Sequence, residues 1–391
     1  MSFLSDRSQC IQASPTMAIT DRARALKAEG KDVISLSVGE PDFDTPEFIK
    51  QAAIDAIKAG KTKYTAVDGT PELKKAIIEK LKRDNQLDYS PNQILVSSGA
   101  KHSIFNLLQA VINKGDEVLI PAPYWVSYPD ITKVCDGTPT FVSAGIEKGF
   151  KITADQLEVA ITPKTRLFVM NSPSNPTGVM YSKAELAALA QVLLRHPQVL
   201  IMTDDIYEHI RWGAEPFYNL ASVEPKLYDR TVVINGVSKV YAMTGWRIGY
   251  AAGPAPIIEA MATLQSQNAS NACSISQAAA AAGLNGDQAC LVPMMKAFQE
   301  RHDYLVAALN DIPGFHCLKG DGTFYAFINV KGAMATLKMD NDVQFSEHLL
   351  NQALVAVVPG SAFGLDGYIR ISYATDLNLL KESVRRIKAV V

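Results

Sequence analysis

Thr231-Val232-Val233-Ile234-Asn235-Gly236-Val237-Ser238-Lys239 is an apolar, β-branched run that ends in a hydroxyl and a lysine. Eight residues beyond Lys239, Arg247 stands just before a further apolar run, Ile248–Ala252. Short aliphatic runs of this kind read as strands buried on both faces. Moving outward, Ile94–Ser97, Glu117–Ile120, Thr140–Ser143, Leu167–Asn171 and Val199–Thr203 share the texture, and helical patterns separate them. With the two runs around Lys239 they predict a large α/β unit, a mostly parallel seven-stranded sheet between helices.

The helix signals agree with that layout. Thr45-Pro46 and Thr70-Pro71 each place a capping hydroxyl ahead of a proline. Ser182-Lys183-Ala184-Glu185 is a capping box, and Leu186, Leu189, Leu193 and Leu194 follow on one helix face. Ile104, Leu107, Leu108 and Val111 do the same in a helix opening at Ala100. From about Leu291 the texture changes: a long amphipathic helix leads to strands at Phe324–Ile328 and Tyr368–Ser372, with helices at 343–352 and 377–390. This reads as a smaller α+β domain at 291–391 beside a large domain at 45–290. The segment 1–44, with the apolar run Ile34–Val38, is expected to pack on the smaller one.

A chain of 391 residues is long enough for two packed domains, and its 48% apolar and 20% charged residues are ordinary for a globular protein. A net charge of −2 argues against general attraction to nucleic acid or an anionic membrane. Met1–Arg7 lacks the basic and apolar regions of a signal peptide, and no apolar stretch is long enough to span a bilayer. The five scattered cysteines suit reduced thiols in the cytoplasm, and neither they nor the six histidines show metal-ligand spacing. His102 and His209 read as structural, and no metal is expected.

Ligands of open α/β sheets bind beyond the carboxyl ends of the strands, so the residues there carry the chemistry. Lys239, with Ser238 beside it and Arg247 behind, offers an amine for a Schiff base together with hydroxyl and cationic donors for a phosphate, which is what a pyridoxal phosphate site requires. Ser98-Gly99-Ala100-Lys101 opens a helix with small residues, fit for a phosphate or for a plain strand–helix turn. Asp204 and Tyr207 end another strand and could serve a pyridine nitrogen and a phenolic oxygen; the same run also fits an acidic helix N-terminus. Ser172-Pro173-Ser174-Asn175-Pro176-Thr177-Gly178 is a rigid loop presenting the Asn175 amide. No dinucleotide or Walker motif occurs.

Taken jointly and in order, these segments resemble the class I (fold-type I) aminotransferases, within them the bacterial aspartate aminotransferases. Gly39-Glu40-Pro41-Asp42-Phe43, Lys63-Tyr64, Tyr124–Pro129, Gly322-Thr323-Phe324-Tyr325 and Ile369–Ala374 extend the resemblance over essentially the whole chain. It implies that Lys239 carries pyridoxal 5'-phosphate and moves the substrate proton, with Asp204 on the pyridine nitrogen and Asn175 and Tyr207 on the phenolic oxygen. Trp125 would stack on the ring. Ser98, Gly99, Ala100, Ser238 and Arg247 would hold the phosphate, with Tyr64 reaching across a homodimer. Arg370 would clamp the substrate α-carboxylate, with Gly39, Trp125 and Asn175 beside it.

The resemblance also implies a substrate: L-aspartate exchanging with 2-oxoglutarate in a ping-pong cycle, Lys101 reading the distal carboxylate with Ser14 and Thr16. Relatives that also use prephenate tend to carry a basic residue just before the Ser14 segment, where this chain has Gln12. A prephenate aminotransferase, or an aromatic or β-lyase enzyme of the same fold, is the alternative. Lys101 argues against a purely neutral pocket.

Overall fold

The computed structural model describes residues 3–11, 15–213 and 215–391, with the side chains of 15–18 outside the description. Its strands are β1 (Ile34–Ser35), β2 (Ile94–Ser97), β3 (Glu117–Ala122), β4 (Thr138–Ser143), β5 (Thr165–Asn171), β6 (Leu200–Asp204) and β7 (Thr231–Gly236). They continue with β8 (Gly249–Ala252), β9 (His316–Cys317), β10 (Tyr325–Asn329), β11 (Val355–Ala356), β12 (Val358–Pro359) and β13 (Tyr368–Ser372). The seven-stranded sheet has the order β2-β8-β7-β6-β5-β3-β4. The pairs β4–β3, β3–β5, β5–β6 and β6–β7 are parallel, while β8 runs against both its neighbours. Every residue of β7 and β8 is buried, as expected of strands covered on both faces.

Local signals hold where tertiary contacts do not compete. Ser182 caps the helix Lys183–Arg195 with a reciprocal Glu185 box, and the Thr70 hydroxyl accepts from Leu73 N at 3.3 Å. Leu186, Leu189 and Leu193 are buried; Leu194 is half-buried and Val192 takes the covered position, because this helix also packs on the helices Ala154–Ala160 and Leu220–Val223. Thr45 departs from expectation. The helix Glu47–Lys58 has Pro46 at its N-cap and no side-chain cap. The Thr45 hydroxyl donates to the Ala242 carbonyl at 2.8 Å and accepts from Trp246 Nε1 at 3.0 Å. A long-range contact has taken the hydroxyl that the local pattern assigned to the helix end.

Of the strands after residue 310, β9, β10, β12 and β13 form a separate antiparallel sheet in the order β12-β13-β10-β9. β1 pairs with β11 in parallel, Ile34 opposite Val355, and Ser372 N donates to Leu36 O at 2.8 Å. Residues 34–36 are thereby tied to C-terminal strands, while Arg7 pairs with Asp136, just before β4, at 2.8 Å. One apolar cluster runs from Ile49 and Ile77 through Val233 to Phe324 and Ile369, joining the helices flanking the large sheet to β10 and β13. The ends of β5, β6 and β7 thus face the segment that carries Arg370.

Backbone contact between β8 and the helix Ala100–Val111 depends on Gly249, where a Cβ would lie 2.1 Å from Ala100 N. No side chain can rotate to relieve that overlap. Gly249→Ala is therefore expected to lower stability by about 1–3 kcal/mol in thermal unfolding, whereas Gly245→Ala, which meets open space, should stay within about 0.5 kcal/mol.

Candidate active site

A cavity of about 650 Å³ opens at the carboxyl ends of β5, β6 and β7. Asn171 and Asn175 reach it from β5 and its loop, Asp204 and Tyr207 from β6, and Ser238 and Lys239 from just beyond β7. Ala100 and Lys101 enter from the helix after β2, Trp125 from the loop after β3, and Arg247 from the segment before β8. Gly39, Glu40, Tyr325 and Arg370 close the side formed by the first forty residues and β10 and β13.

No helix follows β6: the residues after Asp204 form turns, which removes the acidic helix N-terminus as an account of Asp204. Asp204 is 5% exposed, and Tyr128 Oη donates to its Oδ2 at 2.6 Å. Burial pushes this carboxyl up to about 6, against the hydrogen bond from Tyr128 and the nearby charge of Lys239. Lys239 Nζ donates to the Gly39 carbonyl at 2.6 Å, a contact spanning the two sides of the cavity. Burial brings this amine down to about 8, with Glu40 opposing and Arg247 and Arg370 reinforcing the shift.

Arg370 is 3% exposed and makes no ion pair among the described residues. Its Nη1 donates to Asn175 Oδ1 at 3.0 Å, its Nη2 donates to the Ser37 carbonyl at 2.7 Å, and its Nε has no partner. The rings of Tyr325 and Phe363 lie 4.3 and 4.9 Å from its guanidinium carbon. Removing one side of a buried ion pair is strongly destabilising, so a guanidinium kept here without a carboxylate calls for an anionic ligand. Lys101, Lys239 and Arg247 likewise lack ion pairs among the described residues, and Lys101 Nζ sits 4.9 Å from the Trp125 ring centre. Burial, and Arg247 beside it, lower the Lys101 amine. With Arg24, which pairs with Asp21, five cations line one cavity in a chain of net charge −2.

The arrangement fits a phosphorylated, ring-bearing cofactor. Gly99 begins the helix at φ +90°, and a Cβ there would lie 2.3 Å from Arg247 Nη2. The missing side chain lets the guanidinium lie against the helix start, whose first amides have no intrahelical acceptor. Arg247 itself adopts φ +55°, a left-handed conformation rare for a bulky residue and common where a site constrains the chain. Beside this phosphate-sized cradle stand an aromatic face (Trp125), a carboxylate (Asp204), a phenol (Tyr207) and an amine.

Of the residues singled out from sequence, Gly39, Ala100, Lys101, Trp125, Asn175, Asp204, Tyr207, Ser238, Lys239, Arg247 and Arg370 line this one cavity. Ser98 and Gly99 lie immediately behind Ala100 without lining it. Tyr64 is 92% exposed and sits in a separate surface depression with Lys63 and Ser274, away from its own chain's cavity. Gln12 and Ser14, and the side chain of Thr16, fall outside the described residues. Sequence reasoning assigned no role to Tyr128, Asn171 or Tyr325. Asn171 donates to the Asp204 carbonyl at 2.8 Å and accepts from Asn175 N at 2.9 Å. Tyr325 Oη lies 3.0 Å from Tyr207 Oη. Tyr128 and Tyr325 were visible only as neighbours of Trp125 and Phe324 within longer motifs.

The family model for aminotransferase class I and II matches residues 31–387. Aspartate/prephenate aminotransferase of Nitrosomonas europaea is 57% identical over 394 residues, with 99% of each chain covered. Aspartate aminotransferase of Rhizobium meliloti is 52% identical over 388 residues, covering 98% of this chain and 95% of that one. A crystal structure of the Rhizobium meliloti enzyme matches with a TM-score of 0.96 at 51% identity, over 100% of this chain and 99% of that one. The aspartate aminotransferase of Thermus thermophilus with maleate matches at 0.94 and 38% identity, with both chains fully covered. With this match over its length and this cavity at its centre, the chain belongs to the class I and II aminotransferases.

Proposed function

We propose that this aminotransferase uses pyridoxal 5'-phosphate to pass the amino group of L-aspartate to 2-oxoglutarate, giving oxaloacetate and L-glutamate in a ping-pong cycle. The observation that carries the reading is Arg370: a buried guanidinium with an orphaned Nε, in the same cavity as the Lys239 amine. An α-amino acid offers a carboxylate to the first and reacting atoms to the second. Pyridoxal phosphate, when bound, supplies an aldehyde open to amines and a cationic ring that withdraws electrons from the substrate carbon.

Lys239 would hold the cofactor and then, freed by substrate, take and return the α-proton. Burial brings its amine down to about 8, which suits proton transfer close to neutrality. Asp204, oriented by Tyr128, would meet the ring nitrogen, and a cation there favours the ionised carboxylate. Tyr207 and Asn175 would donate to the phenolic oxygen, and Trp125 would cover the ring face. Arg247, Ser238 and the helix start at Ser98-Gly99-Ala100 would receive the phosphate. Tyr64 would complete the phosphate site of a second copy in a homodimer. Lys101, with Ser14 and Thr16, would read the distal carboxylate; the Thermus relative was solved with maleate, itself a dicarboxylate. The same proposal divides the chain at residues 45 and 291 and places it in a reducing cytoplasm, in keeping with five free cysteines.

A second reading, with prephenate as an additional acceptor, is favoured by the aspartate/prephenate aminotransferase of Nitrosomonas europaea at 57% identity. Comparing kcat/KM for oxaloacetate and prephenate, with glutamate as donor, separates the two. We expect oxaloacetate to be preferred; equal or greater use of prephenate would move the assignment to the second reading, and use of neither would end both.

Lys101→Ala is expected to lower kcat/KM for aspartate by about tenfold to a hundredfold, the loss of one charge-assisted hydrogen bond of about 1.5–3 kcal/mol. Turnover of an uncharged amino acid should change little in the same variant. An equal loss for both substrates would remove Lys101 from side-chain recognition.

Asp204 also makes a prediction for the apoprotein. Its folded pKa, about 6, lies above the ordinary 3.8, so its contribution to stability is complete below the lower value and is lost as pH rises through the upper one. Asp204→Asn removes that loss. The apo variant should be more stable than its parent at about pH 7.5, on the order of 2–3 kcal/mol, with most of the gain gone at about pH 4.5. Denaturant unfolding at the two pH values checks it, and a pH-independent difference would contradict the burial argument.

A further inference from the structure

Behind the turn that presents Asp204 and Tyr207 lies a second polar cluster, which does not reach the cavity. Lys80, within the helix Pro71–Asn85, is 1% exposed, and Glu208 is 4% exposed. Lys80 Nζ donates to Glu208 Oε1 and, at 2.7 Å, to Asn85 Oδ1. The Glu208 carboxylate also accepts from Asn85 Nδ2 at 2.7 Å and from Asn235 Nδ2 at 2.6 Å. His209 and Asp84 flank the pair, with His209 Nε2 at 3.1 Å from Asp84 Oδ2. Burial pushes the Glu208 carboxyl up, but the charges of Lys80 and His209 and the hydrogen bonds from Lys80 and Asn85 together bring it below its ordinary value.

Stability alone explains such a pair poorly, because a well-packed apolar pair of similar volume is often as stable or more so. Its geometry explains more. Asn235 lies on β7, four residues before Lys239. Glu208 directly follows Tyr207, whose hydroxyl points the other way, toward Tyr325. One carboxylate therefore ties the turn that follows Asp204 and carries Tyr207 to the strand that delivers Lys239, and ties both to the helix Pro71–Asn85. Within the turn Glu208 N donates to Asp205 O at 2.9 Å and Ile210 N to Tyr207 O at 2.8 Å, and its two ends are tied outward by Asp205 N to Ile234 O at 2.9 Å and Thr323 N to Ile210 O at 2.7 Å. Glu208 adds side-chain bonds to Asn235 of β7 and to Lys80 and Asn85 of the helix Pro71–Asn85, which these backbone bonds do not supply.

We propose that Glu208, held by Lys80, is a positioning residue of the active site, setting Tyr207 and Asp204 relative to Lys239. The proposal rests on the cofactor roles given above for those three residues. It concerns placement, to which transfer reactions are sensitive: a shift of about 1 Å can lower the rate on the order of a hundredfold.

The test uses the holoenzyme reconstituted with pyridoxal phosphate and two variants, Glu208→Asp and the double variant Lys80→Met with Glu208→Gln. The first keeps the charge and withdraws it by one methylene. The second removes both buried charges together, so its apoprotein should unfold close to the parental temperature. In both, the midpoint of the pH titration of the cofactor's visible absorbance should move, and kcat for aspartate should fall by about tenfold or more while KM changes little. Parental midpoint and kcat in the double variant would reduce the pair to packing and overturn the proposal. If the double variant does not fold, parental values in Glu208→Asp overturn it equally. Absence of aspartate turnover in the parent would instead count against the proposed function, while the absorbance titration would still report on Glu208.

Discussion

A guanidinium buried without a carboxylate holds this structure's two sides in register. Arg370 sits on β13, takes the Ser37 carbonyl from the N-terminal segment, and reaches Asn175 in the loop after β5. These partners lie 333 and 195 residues away in sequence. No local preference brings them together; the pairing of β1 with β11 and the shared core from Val233 to Ile369 do so. The charge is retained although burying it unpaired is unfavourable, and the arrangement is intelligible as half of an interaction whose other half is a ligand.

The same burial that makes Arg370 demanding tunes its neighbours in opposite directions. Low exposure disfavours charge on any group, raising the Asp204 carboxyl to about 6 and lowering the Lys239 amine to about 8. An acid and a base thereby approach neutrality from either side within one cavity, a pattern common at sites of proton transfer. The cations around them add to the effect on Lys239 and leave the cavity electropositive within a nearly neutral chain.

Much of the fold was legible because it is written in local patterns. The strand runs, the Ser182 box and the Thr70 cap all depend on residues within a few positions of one another, so periodicity and capping chemistry suffice to read them. Thr45 was misread for the complementary reason: its hydroxyl serves Ala242 and Trp246, nearly two hundred residues on. Site residues followed the same division. Lys239, Asp204 and Asn175 stand at strand ends in recognisable motifs, whereas Tyr128 and Tyr325 matter through side chains that meet only after folding.

By itself the sequence determined the α/β layering, the strand ends at which chemistry collects, and the membership of a family of enzymes, since each rests on residue type and short-range spacing. Tertiary structure alone decided which cations stay unpaired, that Tyr128 orients Asp204, and that Lys80 and Glu208 brace the Tyr207 turn from behind. Those facts turn on burial and on distances between remote segments, and neither quantity exists until the chain has closed around its core.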